Sequence, residues 1–309
     1  MKNKKMLFVY NPHAGKGQIR NNLLDIIDIF VKAGYEVTVY PTQASGDAVI
    51  KVREKSSRYD MVVCCGGDGT LDEVVTGMMQ CEKRKTIGYV PAGSTNDFAD
   101  SLHIPKNMKK AAEVVVSGEK FPCDVGSFNE DTFVYIAAFG IFTDVSYETK
   151  QNMKNVLGHM AYLLEGMKRL AMVPSYRMKI TYEDQVIEDE FMFGMITNSE
   201  SVGGFKRITG KWVELDDGVF EVTLIKKPAN PLELNSILSA LVLKDIDTEY
   251  MYCFRTNHVE FQSEKEIAWT LDGEYGGGHK SAVIENQKQA IKIMIPGENL
   301  ERSVPESEI

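Results

Sequence analysis

The sequence predicts two domains, a doubly wound α/β layer with a mostly parallel sheet, followed by a β-rich antiparallel sandwich. Three observations lead there. The chain has 309 residues, enough for two cores at the usual ~100 to 200 residues per domain. Its first third alternates apolar strand-like runs with helical periodicity, the texture of a parallel sheet covered by helices. After about Phe121 it turns to runs rich in aromatic and β-branched residues, with helical periodicity in only two places.

In the first third, Met6 to Tyr10 reads as a strand, and Ile19, Leu23, Ile26, Ile27 and Phe30 fall on one helical face that Gly34 ends. Tyr35 to Tyr40 is a second strand and Asp47 to Lys55 a short helix. Met61 to Cys65 is a continuous apolar run, as expected of a strand covered on both faces, and Leu71, Val74, Val75 and Met78 mark the next helix. Ile87 to Val90 and a helix near Asn107 to Val116 complete the layer. Strands are then expected at Thr132 to Ile141, Tyr176 to Tyr182, Glu190 to Thr197, Val219 to Ile225, His258 to Gln262, Ala268 to Leu271 and Ala290 to Ile295. Helical patches lie at Val156 to Met172 and Leu232 to Leu243. The expected domains are 1–125 and 126–296, with 297–309 a polar tail that frays or packs back on the first domain.

Composition narrows the class. Hydrophobic residues at 43% and charged residues at 26% are ordinary for a globular chain. Lys and Arg total 35 against 44 acidic residues, a formal charge of −9, so the chain lacks a whole-molecule footprint for nucleic acid. No apolar run reaches the ~18 to 20 residues of a spanning helix, and neither a membrane span nor a signal peptide is expected. Five cysteines, an odd number without C-x-x-C spacing, read as reduced thiols in a cytoplasmic protein. The five histidines form no metal-binding motif.

The richest stretch for chemistry is Gly66-Gly67-Asp68-Gly69-Thr70-Leu71-Asp72-Glu73, between a buried strand and an amphipathic helix. Glycines there let backbone amides approach a phosphate, and the helix start adds partial positive charge. A plain tight βα turn is an equal alternative for the glycine pair alone. Asn11-Pro12-His13-Ala14-Gly15-Lys16-Gly17 after the first strand, and Pro91-Ala92-Gly93-Ser94-Thr95-Asn96-Asp97-Phe98 after the fourth, tip that balance. Three small-residue loops at the carboxyl ends of neighbouring parallel strands would converge on one crevice suited to a nucleotide and its metal. None is a Walker A loop. Gly273 to Ser281 comes close, but His279 separates Gly278 from Lys280.

GGDGT at Gly66 to Thr70, the Asn-Pro-x-x-Gly opening loop, Gly93 to Ala99 (GSTNDFA) and Leu271-Asp272-Gly273-Glu274 resemble the soluble diacylglycerol kinase and lipid kinase family. That resemblance runs from the first strand to the last. It implies an ATP-NAD kinase-like nucleotide domain, a β-rich lipid-substrate domain, and an active site in a cleft between them. Carried over by position, it implies nucleotide contacts at Asn11, Pro12, His13, Ala14, Gly15, Thr42, Gly66, Gly67, Asp68, Gly69, Thr70, Leu71, Asp72, Glu73, Ser94 and Asn96. Ser94 stands where the family commonly has threonine, and keeps the hydroxyl.

By the same resemblance Glu274 is the base that receives the lipid hydroxyl's proton, with Asp68 and Asp97 as catalytic carboxylates. As bare sequence, Asp272-Gly273-Glu274 reads rather as a solvated hairpin turn. Phosphoryl transfer from ATP requires charge neutralisation. Asp68, Asp97 and Asp124 resemble the family's set that reaches the catalytic magnesium, although Cys123-Asp124-Val125-Gly126 also reads as ordinary strand-end chemistry. Glu214-Leu215-Asp216-Asp217-Gly218-Val219 resembles a structural magnesium site, with Asp217 as side-chain ligand and carbonyls from Glu214 and Val219. A one-residue register change exchanges Asp217 for Asp216, and without the resemblance this is a solvated acidic turn.

The resemblance further implies a lipid substrate, most of all diacylglycerol converted to phosphatidic acid, with transient peripheral contact at the inner face of the membrane. Lys150, Lys154, Lys168 and Arg169 bracketing an apolar stretch, and Lys206 and Arg207, offer anionic-surface contacts; an ordinary domain helix and a mobile loop are the alternatives. Some family members are dimeric, so a homodimer is one expectation. An NAD kinase is an alternative enzyme, against which the Gly93 to Ala99 motif argues. A nucleotide- or lipid-sensing regulator without turnover is the non-enzymatic alternative.

Overall fold

The structure, a computed structural model, describes residues 4–140, 174–199, 201–202, 205–206, 213–243 and 248–297. The chain divides into two compact units: one is the chain up to Cys123 together with the chain from Gln289 onward, and the other is Asp124–Lys288. The final segment of the last strand thus returns to the first unit.

In the first unit the sheet is parallel, built from β1 (Lys4–Tyr10), β2 (Tyr35–Pro41), β3 (Met61–Gly66) and β4 (Thr86–Pro91). Its order is β2-β1-β3-β4, with the end of the last strand beside β4 through Ile293 and Ile87. All six residues of β3 are buried, as its unbroken apolar run requires of a strand covered on both faces. Helices α1 (Ile19–Lys32), α2 (Asp47–Lys55), α3 (Asp68–Met79), a short α4 (Asp97–Ser101) and α5 (Met108–Ser117) cover it. The helix α1 buries Ile19, Ile26 and Phe30, one stripe at helical spacing, and Phe30 meets Phe8 of β1 edge-on at 5.4 Å. The Asn107 side chain caps α5 by accepting from Lys109 and Lys110 N–H at 3.1 Å each. Because β2 and β3 flank β1 on opposite sides, the strand order reverses at β1, and the crevice outside the carboxyl ends there is where such sheets place ligands.

In the second unit the described pairings are antiparallel. Its strands are the end of β5 (Glu119–Phe128), β6 (Asp131–Phe133), β7 (Ile136–Gly140), β8 (Tyr176–Tyr182), β9 (Gln185–Thr197), a short ribbon of β10 (Ser201–Val202) and β11 (Phe205–Lys206), β12 (Phe220–Lys226), β13 (Met251–Thr256), β14 (His258–Leu271) and most of β15 (Glu274–Ile295). One helix, α6 (Pro231–Leu243), precedes β13. The long strands β9 and β14 each pair with β8 along one stretch and with β7 along another, so β9-β7-β14-β8 closes on itself. A ladder shift between Gln262 and Ile267 lets β14 change partners. The core includes Phe139, Phe191, Phe261 and Trp269, with Trp269 4.8 Å from Phe139 and 4.9 Å from Phe128.

Several expected elements differ. The expected run Thr132 to Ile141 is two strands over its described residues, which end at Gly140, because the Val134, Tyr135 and Ile136 amides bond to the Asp272 carboxylate. His258 to Gln262 and Ala268 to Leu271 are one strand, and Ala290 to Ile295 is only the end of the 22-residue β15. Strands β5 and β13 and the helix α4 were not anticipated. The Val156 to Met172 patch and the 298–309 tail lie outside the described residues. Among the described residues no helix is long and apolar enough to cross a membrane.

Candidate active site

In the first unit the three expected loops meet. Asn11 N–H donates to Cys65 O at 2.9 Å, its Oδ1 accepts from His13 N–H at 2.9 Å, and its Nδ2 donates to Thr70 Oγ1 at 3.5 Å. Ala92 N–H donates to Gly66 O at 2.7 Å. Gly15, in the left-handed region at φ +53°, sits where a Cβ would lie 1.9 Å from Ala92 O. A Cβ on Gly93 would lie 2.6 Å from Gly67 Cα and 2.7 Å from Asn96 Oδ1. The glycines are therefore required by the approach of the loops to one another, before any ligand is considered.

Asn96 holds the third loop. It adopts φ +57°, a conformation asparagine tolerates, while its Oδ1 accepts from Gly93 N–H at 2.8 Å and its Nδ2 donates to Gly93 O at 3.0 Å. Asp97 follows, 1% exposed, and its N–H donates to Asp68 Oδ2 at 3.3 Å. Two of the expected metal-reaching residues, from two loops, are thereby adjacent. Behind them Tyr89 is fully buried; burial, reinforced by Asp68, pushes its hydroxyl well up.

The remaining residues carried over by resemblance occupy different surroundings. Ser94 and His13 are exposed, and Pro12, Ala14, Gly69 and Asp72 are half-buried. Thr42 N–H donates to Tyr10 O at 2.9 Å, which fixes Thr42 at the end of β1. Leu71, 1% exposed, is a core residue. Glu73 uses both carboxylate oxygens on Gly46 and Ala48 N–H, at 2.8 and 3.1 Å.

Glu274 and Asp124 belong to the second unit. Glu274 is exposed at the first position of β15, directly after the two-residue turn Asp272-Gly273, whose φ values of +48° and +86° fit the primed hairpin turn that Asp-Gly favours. Asp272 is 4% exposed, and its carboxylate accepts from Val134, Tyr135 and Ile136 N–H at 2.5, 3.0 and 2.9 Å. The solvated turn is thus wrong for Asp272, while Glu274 is exposed beside it. Aspartate-glycine spelled the turn, but the amides that bury its carboxylate are more than 130 positions away, beyond the reach of sequence reading.

Asp124 is fully buried, accepts from Gly218 N–H at 2.7 Å, and donates its own N–H to Leu215 O at 2.8 Å. Its carbonyl accepts from Asn198 Nδ2 at 3.2 Å. In the turn it meets, Asp217 is paired with the Arg255 guanidinium and accepts from Val219 N–H at 3.1 Å, and Lys288 Nζ donates to Asp217 O at 3.0 Å. Arg255 Nε also donates to Glu221 Oε1 at 3.1 Å; burial raises that carboxyl to about 7. Two side-chain cations thus stand at Asp217, Arg255 on its carboxylate and Lys288 on its carbonyl, in the turn where the structural magnesium is expected. Among the described residues no three His, Cys, Asp or Glu side chains group to hold a metal. Asp68 with Asp97 does fit a magnesium carried in on a nucleotide, since that ion keeps several waters and takes one or two carboxylates beside the phosphates. Lys206 lies on β11, while Arg207 and residues 150–169 lie outside the described residues.

A parallel sheet whose glycine-tight loops meet at the strand-order reversal, joined to an antiparallel β unit, defines a two-part kinase class. Residues 5–128 match the diacylglycerol kinase catalytic domain family, and residues 137–295 match the YegS C-terminal NAD kinase beta sandwich-like domain. The chain is 33% identical over 302 residues to a diacylglycerol kinase of Bacillus subtilis (strain 168), covering 97% of this chain and 99% of that one. It is 35% identical over 295 residues to a diacylglycerol kinase of Staphylococcus carnosus (strain TM300), covering 95% of each. A crystal structure of a candidate diacylglycerol kinase from Bacillus anthracis str. Sterne superposes with TM-score 0.81 at 25% identity, over 96% of this chain and 98% of that one. The chain belongs to the diacylglycerol kinase family and is a kinase.

Proposed function

We propose that this enzyme transfers the γ-phosphoryl group of ATP, with magnesium, to the hydroxyl of diacylglycerol, giving phosphatidic acid and ADP. The observation that carries this reading is the meeting of three loops around Gly15, Gly67 and Gly93, which leaves backbone and a helix start where phosphates would lie. Its support for the acceptor is that relatives covered end to end are named for that lipid.

In this reading the amides around Gly66 to Thr70 and the Asn11 loop bind and orient the polyphosphate. Glu274 takes the proton from the lipid hydroxyl as its oxygen bonds to the γ-phosphorus and the bond from that phosphorus to the β–γ bridging oxygen breaks. Asp68 and Asp97 would hold the magnesium ion, which neutralises phosphate charge when bound. The chemistry asks mainly for positioning and charge neutralisation. The same reading places the enzyme in the cytoplasm, in transient contact with the inner face of the membrane, and expects a homodimer.

The test is transfer of label from γ-labelled ATP to mixed micelles of diacylglycerol, phosphatidylglycerol or sphingosine, beside soluble NAD. The Glu274→Ala variant is run in parallel. Label on diacylglycerol, lost by about 10²- to 10⁴-fold in the variant, is expected of a general base. Label on another lipid or on NAD replaces the acceptor, and a fully active variant removes Glu274 from the mechanism.

A further inference from the structure

Both oxygens of the Glu73 carboxylate are engaged by the backbone of a different segment. Glu73 lies on α3, just beyond the Gly66 to Thr70 loop, and reaches the start of α2. There Gly46 N–H donates to Oε1 at 2.8 Å and Ala48 N–H to Oε2 at 3.1 Å. Gly46, at φ +81°, precedes the first helical residue and has no side chain with which to cap it. Asp47 turns the other way, accepting from Gln43 N–H at 2.8 Å and the Tyr40 hydroxyl at 2.9 Å. The segment from Thr42 to Gly46 is therefore closed from two sides, by Asp47 directly after it and by Glu73 from α3. The two helices approach closely at Gly77, where a Cβ would lie 2.6 Å from Val49 O.

We infer that Glu73 is a positioning residue, which ties the loop carrying Thr42 to the helix that follows Gly66 and Gly67 so that the two keep one register. The inference rests on the nucleotide reading proposed above, and replaces the expected direct contact of Glu73 with the nucleotide. A carboxylate pointed at a polyphosphate repels it. One that accepts from the unpaired amides of a helix start is stabilised there, and orders the preceding loop as it does so.

The test uses the full chain, with Glu73→Gln and Glu73→Ala beside wild type. ATP binding is measured by calorimetry without lipid, KM for ATP and kcat with the lipid acceptor, and hydrogen exchange at Gly46 and Ala48. Faster exchange at those two amides is expected, with ATP affinity lower by about tenfold in Glu73→Ala, equivalent to ~1.4 kcal/mol. The loss should fall on KM for ATP rather than on kcat. Glu73→Gln, which keeps one acceptor oxygen and the side-chain shape, should fall between the two and guards against a variant that does not fold. ATP affinity unchanged despite faster exchange overturns the inference, as does a loss confined to kcat, which would put Glu73 on the reacting atoms. Wild type that binds no ATP overturns the nucleotide reading itself, and this inference with it.

Discussion

Replacing Asp272 tests whether a residue next to the proposed base is there for chemistry or for construction. Its carboxylate accepts three backbone N–H groups, from Val134, Tyr135 and Ile136, and is 4% exposed. Its own N–H donates to Ile136 O at 2.9 Å. Hydrogen bonds to a charged group are each worth ~1.5 to 3 kcal/mol, and a buried amide left without a partner costs ~1 to 3 kcal/mol. The three share one acceptor and do not add, so Asp272→Ala is expected to cost about 4 kcal/mol, with roughly 1 kcal/mol more for placing alanine at positive φ. Glycine at this position removes the conformational part and leaves the hydrogen-bond part; asparagine keeps the turn preference and one acceptor oxygen. The expected order of stability is wild type, then Asn, then Gly, then Ala. For a unit of this size ~1 kcal/mol shifts Tm by about 2 to 4 °C, so Asp272→Ala should lower the second unit's Tm by about 10 °C or more. Because the chain has two units, the melt should be followed by Trp269 fluorescence in a Trp212→Phe background, Trp269 being 1% exposed in the same strand as Leu271. An Asp272→Ala protein that melts within 2 °C of its parent refutes the reasoning.

Other outcomes follow from the same geometry. Gly15→Ala should abolish ATP binding in calorimetry, because its Cβ would collide with Ala92 O, whereas Gly34→Ala, at φ +86° with nothing within 4 Å, should cost only about 1 kcal/mol in a urea melt and leave ATP binding intact. Since Arg255 already neutralises Asp217, magnesium or EDTA should barely move the Tm of the nucleotide-free wild type, while Arg255→Ala should lower Tm and make it rise with magnesium; a magnesium-dependent wild type would restore the structural metal. Burial pushes the Cys64 thiol well up and Cys65 to about 12, so at pH 8 both remain thiols. Mass spectrometry after brief iodoacetamide treatment should find Cys253 alkylated and Cys64 and Cys65 untouched.

The first unit was legible in the sequence almost element by element, because its signals are local. A buried parallel strand such as β3 is an unbroken apolar run, α1 shows its buried stripe at helical spacing, and Gly34 ends it at φ +86°. The glycines where the three loops meet were visible for the same reason. The second unit was less so, since a strand such as β14 that changes partners midway carries a polar interruption, which reads as two strands.

What only the tertiary structure decided is where polar side chains go. Asp272 and Glu274 are two residues apart, yet one is buried by amides from a distant segment and the other is exposed. Glu73 sits inside the recognisable motif, yet caps a helix about 25 positions upstream. Asp217 meets Arg255 rather than open solvent. Hydrophobic periodicity and turn chemistry act over a few residues and can be read from order alone. The partner of a carboxylate is settled by which distant amide or cation the fold brings within 3 Å or so of it, and that information exists only once the chain has folded.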